Sequence, residues 1–180
     1  MGFPKQSIQI EGTNIIQHLV ERLGPQFDEV LLVGDGPPAV HSDKLRVIRD
    51  LLQVQSPLVG IHSGLAAAAN DLCFAVACDM PCVLPQLVEM ILGSAGETDV
   101  AVPVINGYYE PLCAAYRQTA VPAIERALRS ERYKVADIYE DLRIREIHES
   151  DIRAIDPQLR SFININTRHD LALLANRDRP

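Results

Sequence analysis

From Leu72 to Ala77 the chain carries an unbroken apolar run, closed by Cys78-Asp79-Met80-Pro81. A run of that length bounded by a proline reads as a strand buried on both faces, the pattern of a parallel sheet covered by helices. In an open α/β sheet, ligands bind in the crevice outside the carboxyl ends of the strands. Asp79 is then a lone carboxylate at such an end: either it caps the turn before Pro81, or it binds a hard cation, most naturally Mg²⁺ holding phosphates.

Strand and helix patterns alternate through most of the chain. Ile15, Ile16, Leu19, Val20 and Leu23 follow helical spacing, with Thr13 or Asn14 as cap and Gly24-Pro25 as stop. Glu29–Val33 and Leu45–Ile48 read as strands. Pro57–Ala69 reads as a helix with Ser56 as N-cap and proline at the first helical position. After the Asp79 strand come a helix at Pro85–Leu92 and a strand at Asp99–Val104. Asn106-Gly107 is a turn signal, so Val100–Ile105 and Leu112–Tyr116 are expected to pair antiparallel. Helices at Val121–Ser130 and Lys134–Leu142 follow, then strands at Arg145–His148 and Phe162–Ile165. Thr167 and Asp170 have the spacing of a reciprocal cap opening a last helix. The expectation is an α/β domain spanning 1–180, with a mostly parallel sheet, helices on both faces and one antiparallel strand.

The chemistry must come from the strand ends, because a fold alone does not define function. A net charge of -7 and the absence of tryptophan argue against a nucleic-acid backbone binder. No apolar stretch approaches the length of a membrane span, and no signal-peptide pattern opens the chain, so a cytoplasmic protein is expected. The four cysteines have no zinc-knuckle spacing and read as small buried side chains. His62 reads as solvent-exposed, and no histidine cluster suggests a metal.

Four segments stand at candidate strand ends. Lys5, behind Gly2, either holds phosphate as a point charge or is a basic residue near a terminus. Asp50 is either a solvated loop acid or an acceptor for the adjacent N1–H and N2–H₂ donors of guanine. Pro57, Leu58 and Gly60 open a helix whose first N–H groups favour anions. Asn164 and Asn166, read as strand residues, project to one face, where two amides can reach a ligand or orient a metal-bound water.

Taken together, these segments resemble the molybdenum cofactor guanylyltransferases. Met1-Gly2-x-x-Lys5 is similar to the end of that family's loop Gly-Gly-x-Ser-x-Arg-Met-Gly-x-x-Lys. Pro57-Leu58-Val59-Gly60-Ile61 resembles its Pro-Leu-Ala-Gly-Ile turn, and Cys78-Asp79-Met80-Pro81 its Cys-Asp-x-Pro metal motif. Pro111-Leu112-Cys113-Ala114-Ala115-Tyr116 resembles Pro-Leu-x-Ala-x-Tyr, and Phe162–Thr167 resembles Phe-x-Asn-x-Asn-Thr. The resemblance implies a three-layer Rossmann-like nucleotidyltransferase that joins GMP from GTP to the phosphate of molybdopterin and releases pyrophosphate. It implies Asp79 as the Mg²⁺ ligand and Lys5 on the triphosphate. Asp50 is then the guanine reader, Pro57, Leu58 and Gly60 lie at the nucleotide, and Asn164 and Asn166 line the pterin side. Molybdoenzyme maturation proteins are the partners it implies beyond GTP and the molybdenum cofactor.

The sequence departs from the family at its start, where a first strand and the Gly-Gly-x-Ser-x-Arg part of the loop are missing. A sheet without that central strand is expected to leave Glu29–Val33 and Cys73–Ala77 either paired directly or separated by a gap. Val33-Gly34-Asp35 stands where the family has a guanine-side asparagine. The competing readings are a cytidylyl- or sugar nucleotidyltransferase of the same fold, and a non-catalytic remnant that binds a pterin or a partner.

Overall fold

The computed structural model describes residues 9–10, 12–34, 40, 42–52, 54–167 and 170. A two-residue ribbon pairs β1 (Gln9–Ile10) with β2 (Thr13–Asn14) and runs into α1 (Ile15–Leu23). Asn14 is the cap: its side chain accepts the Gln17 N–H at 2.8 Å, while the Thr13 hydroxyl donates to the Ile10 carbonyl. Beyond α1, a parallel pair joins β3 (Val30–Val33) to β4 (Leu45–Ile48). At the end of β3, Gly34 takes φ 138°, a left-handed value a side chain would strain, and donates its N–H to Ile48.

The larger sheet holds β5 (Leu72–Val76), β6 (Val100–Ile105), β7 (Tyr108–Tyr109), β8 (Cys113–Arg117) and β9 (Ile144–His148). β5, β6 and β9 run in one direction, and β8 runs against them between β5 and β6. The turn at Asn106-Gly107 joins β6 to β7, so the expected antiparallel return is present. It is not a simple hairpin. From Ala101–Ala115 to Val104–Tyr109, β6 advances three residues while the returning chain advances six. With Glu110 still bonded to Pro103, the surplus is taken up between Glu110 and Ala115 as a bulge, a device that re-aims side chains.

Strand alternation divides the core between two faces. Val100, Val102, Ala114 and Tyr116 pack with α2 (Pro57–Ala67), α4 (Val121–Arg129) and the 3₁₀ turn Val135–Asp141. Ala101, Ile105, Cys113 and Ala115 pack with α1, α3 (Pro85–Ser94) and α5 (Glu149–Arg153). Helices on both faces of one sheet make the three-layer α/β architecture, as expected.

Among the described residues no strand lies between β3 and β5. The two strands are not paired with each other, and each belongs to its own sheet, so the gap form of the expectation holds. Both strands are half-buried along their length, whereas β6 and β8 are almost wholly buried. The sheets are held side by side through α2, where a Cβ at Gly64 would lie 3.5 Å from Val33.

Two elements differ from the sequence reading. The segment expected as a helix at Lys134–Leu142 is a 3₁₀ turn, because burial of Val135, Ile138 and Tyr139 over two turns fits a period of 3.0 as well as 3.6. Phe162–Ile165 is not a strand. A 3₁₀ turn occupies Arg160–Phe162, and the buried Asp156 carboxylate accepts the Ser161 N–H at 2.7 Å to wind the chain there. His62 is also not exposed: its side chain is 13% accessible and lies 3.6 Å from Glu125 between α2 and α4.

Asp99 closes one end of the sheet. The residue is 8% exposed, and its carboxylate accepts from the Arg143 guanidinium, the Arg143 backbone N–H and the Thr119 hydroxyl. The Arg143 hydrogen bonds hold this carboxyl well below the usual carboxylate range, against the opposing effect of burial. A depressed carboxyl stabilises the fold above its unfolded pKa of about 4 and loses that contribution as pH falls toward the folded value. Asp99→Ala is expected to cost about 2 kcal/mol in urea unfolding at pH 7, a cost that shrinks as the pH is lowered below about 4.

Candidate active site

The carboxyl end of β5 is built by backbone first. Ala77 donates its N–H to Leu112 at 3.0 Å, extending the β5–β8 ladder, and Met80 donates to Ala77 at 3.1 Å to turn the chain. Met80 is 3% exposed and Pro81 is buried, so the turn is anchored beneath while Asp79 stays half-buried above it. The Asp79 carbonyl accepts the Ile165 N–H at 2.7 Å. This bond brings residues 164–166 to the end of β5 across most of the domain's sequence.

Ile165 is fully buried against Ile15, Ile16 and Val40, with Leu32 of β3 and Cys78 beside them. Asn164 and Asn166 flank it and are both exposed. Their alternation with Ile165 survives although the segment is not a strand. The reciprocal cap is formed as expected: the Asp170 carboxylate accepts the Asn166 and Thr167 N–H groups, and Asp170 donates its own N–H to the Thr167 hydroxyl, while the helix expected beyond it lies outside the described residues. The cap uses the Asn166 backbone, not its amide.

The other candidates divide. Ser56 caps α2, accepting the Leu58 N–H at 3.1 Å and donating to the Tyr133 carbonyl at 2.6 Å. Pro57 is exposed and Gly60 half-buried, with no atom within 4 Å of where a Gly60 Cβ would stand. Leu58 is different: its side chain is fully buried and its N–H is taken by Ser56, so it supports the turn from the core. Asp50 is exposed just after β4, in a loop tied to α2 by the bond from the Leu51 N–H to the Ser63 hydroxyl. Exposed Leu51, Leu52 and Val54 follow it in the chain. Lys5 lies outside the described residues.

Among the described residues no three His, Cys, Asp or Glu side chains gather as a metal cage. One strand-end carboxylate is nonetheless what Mg²⁺ requires, since that ion keeps several waters and takes the rest of its shell from substrate phosphates. The donor set at Asp79 therefore fits such an ion. The four cysteines form no disulfide and, among the described residues, no metal cluster; burial, with Glu29 and Asp71 adding, pushes Cys73 up to about 11.

Sequence reasoning passed over Glu110. It sits on the bulge beside the end of β5, half-buried, and burial raises its carboxyl above the usual value. No hydrogen bond or ion pair among the described residues reaches that carboxylate. The only signal for it was its place next to Pro111, which gives no hint of a bulge.

A three-layer sheet with a half-buried carboxylate at one strand end, and two asparagines brought beside it by a backbone bond, is the arrangement of a nucleotidyltransferase. The sequence profile of the MobA-like NTP transferase domain matches residues 1–146. The molybdenum cofactor guanylyltransferase of Desulfosudis oleivorans is 34% identical over 171 residues, covering 94% of this chain and 85% of its own. Among solved structures, molybdopterin-guanine dinucleotide biosynthesis protein A of Archaeoglobus fulgidus superposes with a TM-score of 0.79 at 27% identity, over 98% of this chain and 92% of that one. A manganese complex of Rv0371C from Mycobacterium tuberculosis shares the fold, with a TM-score of 0.65 at 15% identity over 97% of this chain and 93% of that one. The chain belongs to the MobA-like NTP transferase family, among the molybdenum cofactor guanylyltransferases.

The Ile165 anchor separates packing from chemistry. Ile165→Ala is expected to lower stability by about 3 kcal/mol in urea unfolding, because it empties a fully buried site. Asn164→Ala, at an exposed position, should leave stability within about 0.5 kcal/mol of the wild type.

Proposed function

We propose that this chain transfers GMP from GTP to the phosphate of molybdopterin, the reaction after which its relatives are named. The observation that carries the reading is the bond from Ile165 to the Asp79 carbonyl, which sets a carboxylate and two amides at one strand end. A terminal phosphate oxygen of molybdopterin attacks the α-phosphorus of GTP. The new P–O–P linkage forms as the bond to the β-phosphate oxygen breaks, and pyrophosphate leaves with that electron pair. Such reactions depend on positioning and charge neutralisation.

Asp79 holds the Mg²⁺, whose contribution when bound is to neutralise phosphate charge. The first turn of α2, at Pro57 to Gly60, faces the anionic phosphates with its N-terminal dipole. Lys5 adds a positive charge to the triphosphate. Asp50 accepts the two adjacent donors of guanine, with the apolar side chains of Leu51 and Leu52 offered to the flat faces of the base. Asn164 and Asn166 line the pterin side. The product passes to molybdoenzyme maturation proteins in the cytoplasm, a setting in keeping with four cysteines that form no disulfide. Among the described residues no helix is long and apolar enough to cross a membrane.

We further propose that the 180 residues form one nucleotidyltransferase domain whose gap between β3 and β5 is the seat of the family's first strand. Two half-buried strands, each with one edge unpaired among the described residues, support this. A chain extended upstream by that strand and the Gly-Gly-x-Ser-x-Arg loop is expected to bind GTP at least tenfold more tightly than the 180-residue chain. Equal affinity of the two forms counts against the proposal. Titration of the extended chain with GTP and CTP tests the base, and a preference for CTP favours a cytidylyltransferase.

Asp79→Asn should lower kcat by about 10²-fold, with the melting temperature unchanged. Removal of divalent cations by a chelator should abolish turnover, and added Mg²⁺ should restore it. Undiminished turnover in either experiment removes Asp79 from its role.

A further inference from the structure

Glu110 and Tyr108 lie on the same face of the ribbon that returns from β6. The pairings Ile105–Tyr108 and Val104–Tyr109 continue to Pro103 and Glu110, where the Glu110 N–H donates to the Pro103 carbonyl at 2.9 Å. Side chains two apart on a strand share a face, at a separation of about 7 Å. That face is the one on which Ile105 packs toward α3 and α5. Phe162 packs into the same cluster, so the segment carrying Asn164 and Asn166 approaches from this side. Tyr109 points to the other face, where its ring meets Tyr139 edge-on at 4.8 Å and its hydroxyl donates to Glu146. The ribbon is thus anchored on one side, while Tyr108 stands 75% exposed on the other.

The location is specific. β5 and β6 run in parallel, so the end of β6 and the Asp79 turn lie on one edge of the sheet, with the Glu110 bulge between them. Glu110 has no cation to neutralise it among the described residues, and its charge, after burial, is what raises the Cys113 thiol. A half-buried carboxylate without a partner is costly unless a donor arrives.

We infer that Glu110 reads the pyrimidine edge of the pterin substrate and that Tyr108 offers its ring to the flat face of that pterin. The inference rests on molybdopterin being the acceptor, as proposed above. A pterin presents an N3–H and a 2-amino N–H side by side, the same donor pair that guanine presents, and one carboxylate accepts both. The dinucleotide product carries two such edges. The chain carries a carboxylate on each side of Asp79: Asp50 after β4 toward guanine, and Glu110 on the β6–β8 return toward the pterin. The phosphates lie between them.

Pterin and lumazine, its analogue with oxygen in place of the 2-amino group, are titrated by their own fluorescence into the wild-type chain and into Glu110→Gln, Glu110→Asp and Tyr108→Ala. The wild type is expected to bind pterin at least tenfold more tightly than lumazine. Glu110→Gln should bind the two within threefold of each other, and Glu110→Asp should keep part of the preference. Tyr108→Ala should weaken both pteridines by a similar factor. The dissociation constant for GTP and the melting temperature should not change in any variant. If the wild type discriminates and Glu110→Gln discriminates equally, the role of Glu110 is overturned while the proposed reaction stands. If the wild type binds GTP and neither pteridine, molybdopterin is not the acceptor and both readings fall together.

Discussion

β8 runs against β5 and β6 and is hydrogen-bonded to both, which sets what can stand at the carboxyl edge of the sheet. In a purely parallel sheet that edge would carry only loops leading away into helices. Here the chain turns at Asn106-Gly107, comes back along β6 and enters β8 beside the end of β5. The small side chains Cys113, Ala114 and Ala115 allow the strand to be covered from both faces at close range. The three surplus residues of the return form a bulge at the edge. It brings Leu112 to the Ala77 N–H and leaves Glu110 beside the Asp79 turn.

The site is assembled around that edge by a few long-range bonds. Ile165 reaches the Asp79 carbonyl because its side chain is held in a cluster shared by α1, β3 and Cys78. The apolar cluster sets the position, the backbone bond sets the register, and the two asparagines are left outward. At the opposite end of β6, Asp99 ties β6, Arg143 before β9 and Thr119 before α4 through charge-assisted bonds. One end of the sheet is closed by a saturated carboxylate. The other end carries the half-buried carboxylates of Asp79 and Glu110.

The gap between β3 and β5 has an energetic side. Each strand presents one edge without a ladder partner among the described residues, and each is only half-buried. Unpaired edges beside apolar side chains invite another strand. The cluster of Ile15, Ile16, Val40 and Ile165, with α2 across Gly64, holds the two sheets together in its absence.

What was legible in the sequence was local. The apolar run before Asp79, the proline that stops it, the Ser56 cap and the Thr167–Asp170 pair each rest on interactions within a few residues, and the structure has all of them. The two errors of element type have the same origin: over seven residues a 3₁₀ period and an α period bury the same positions, and the alternation of Asn164, Ile165 and Asn166 arises without a ladder when one side chain is buried. Leu58 was legible as part of a motif but not as a core residue, since burial is decided by what packs upon it. His62 escaped the reading likewise, being covered by Glu125 from another helix. The position of Glu110 depends on how many residues the return strand spends against β6, a matter of register that no single segment contains. Short-range chemistry therefore made the strand end at Asp79 and the class of protein readable from the chain alone, whereas only the pairing of distant strands decided which side chains lie beside that strand end.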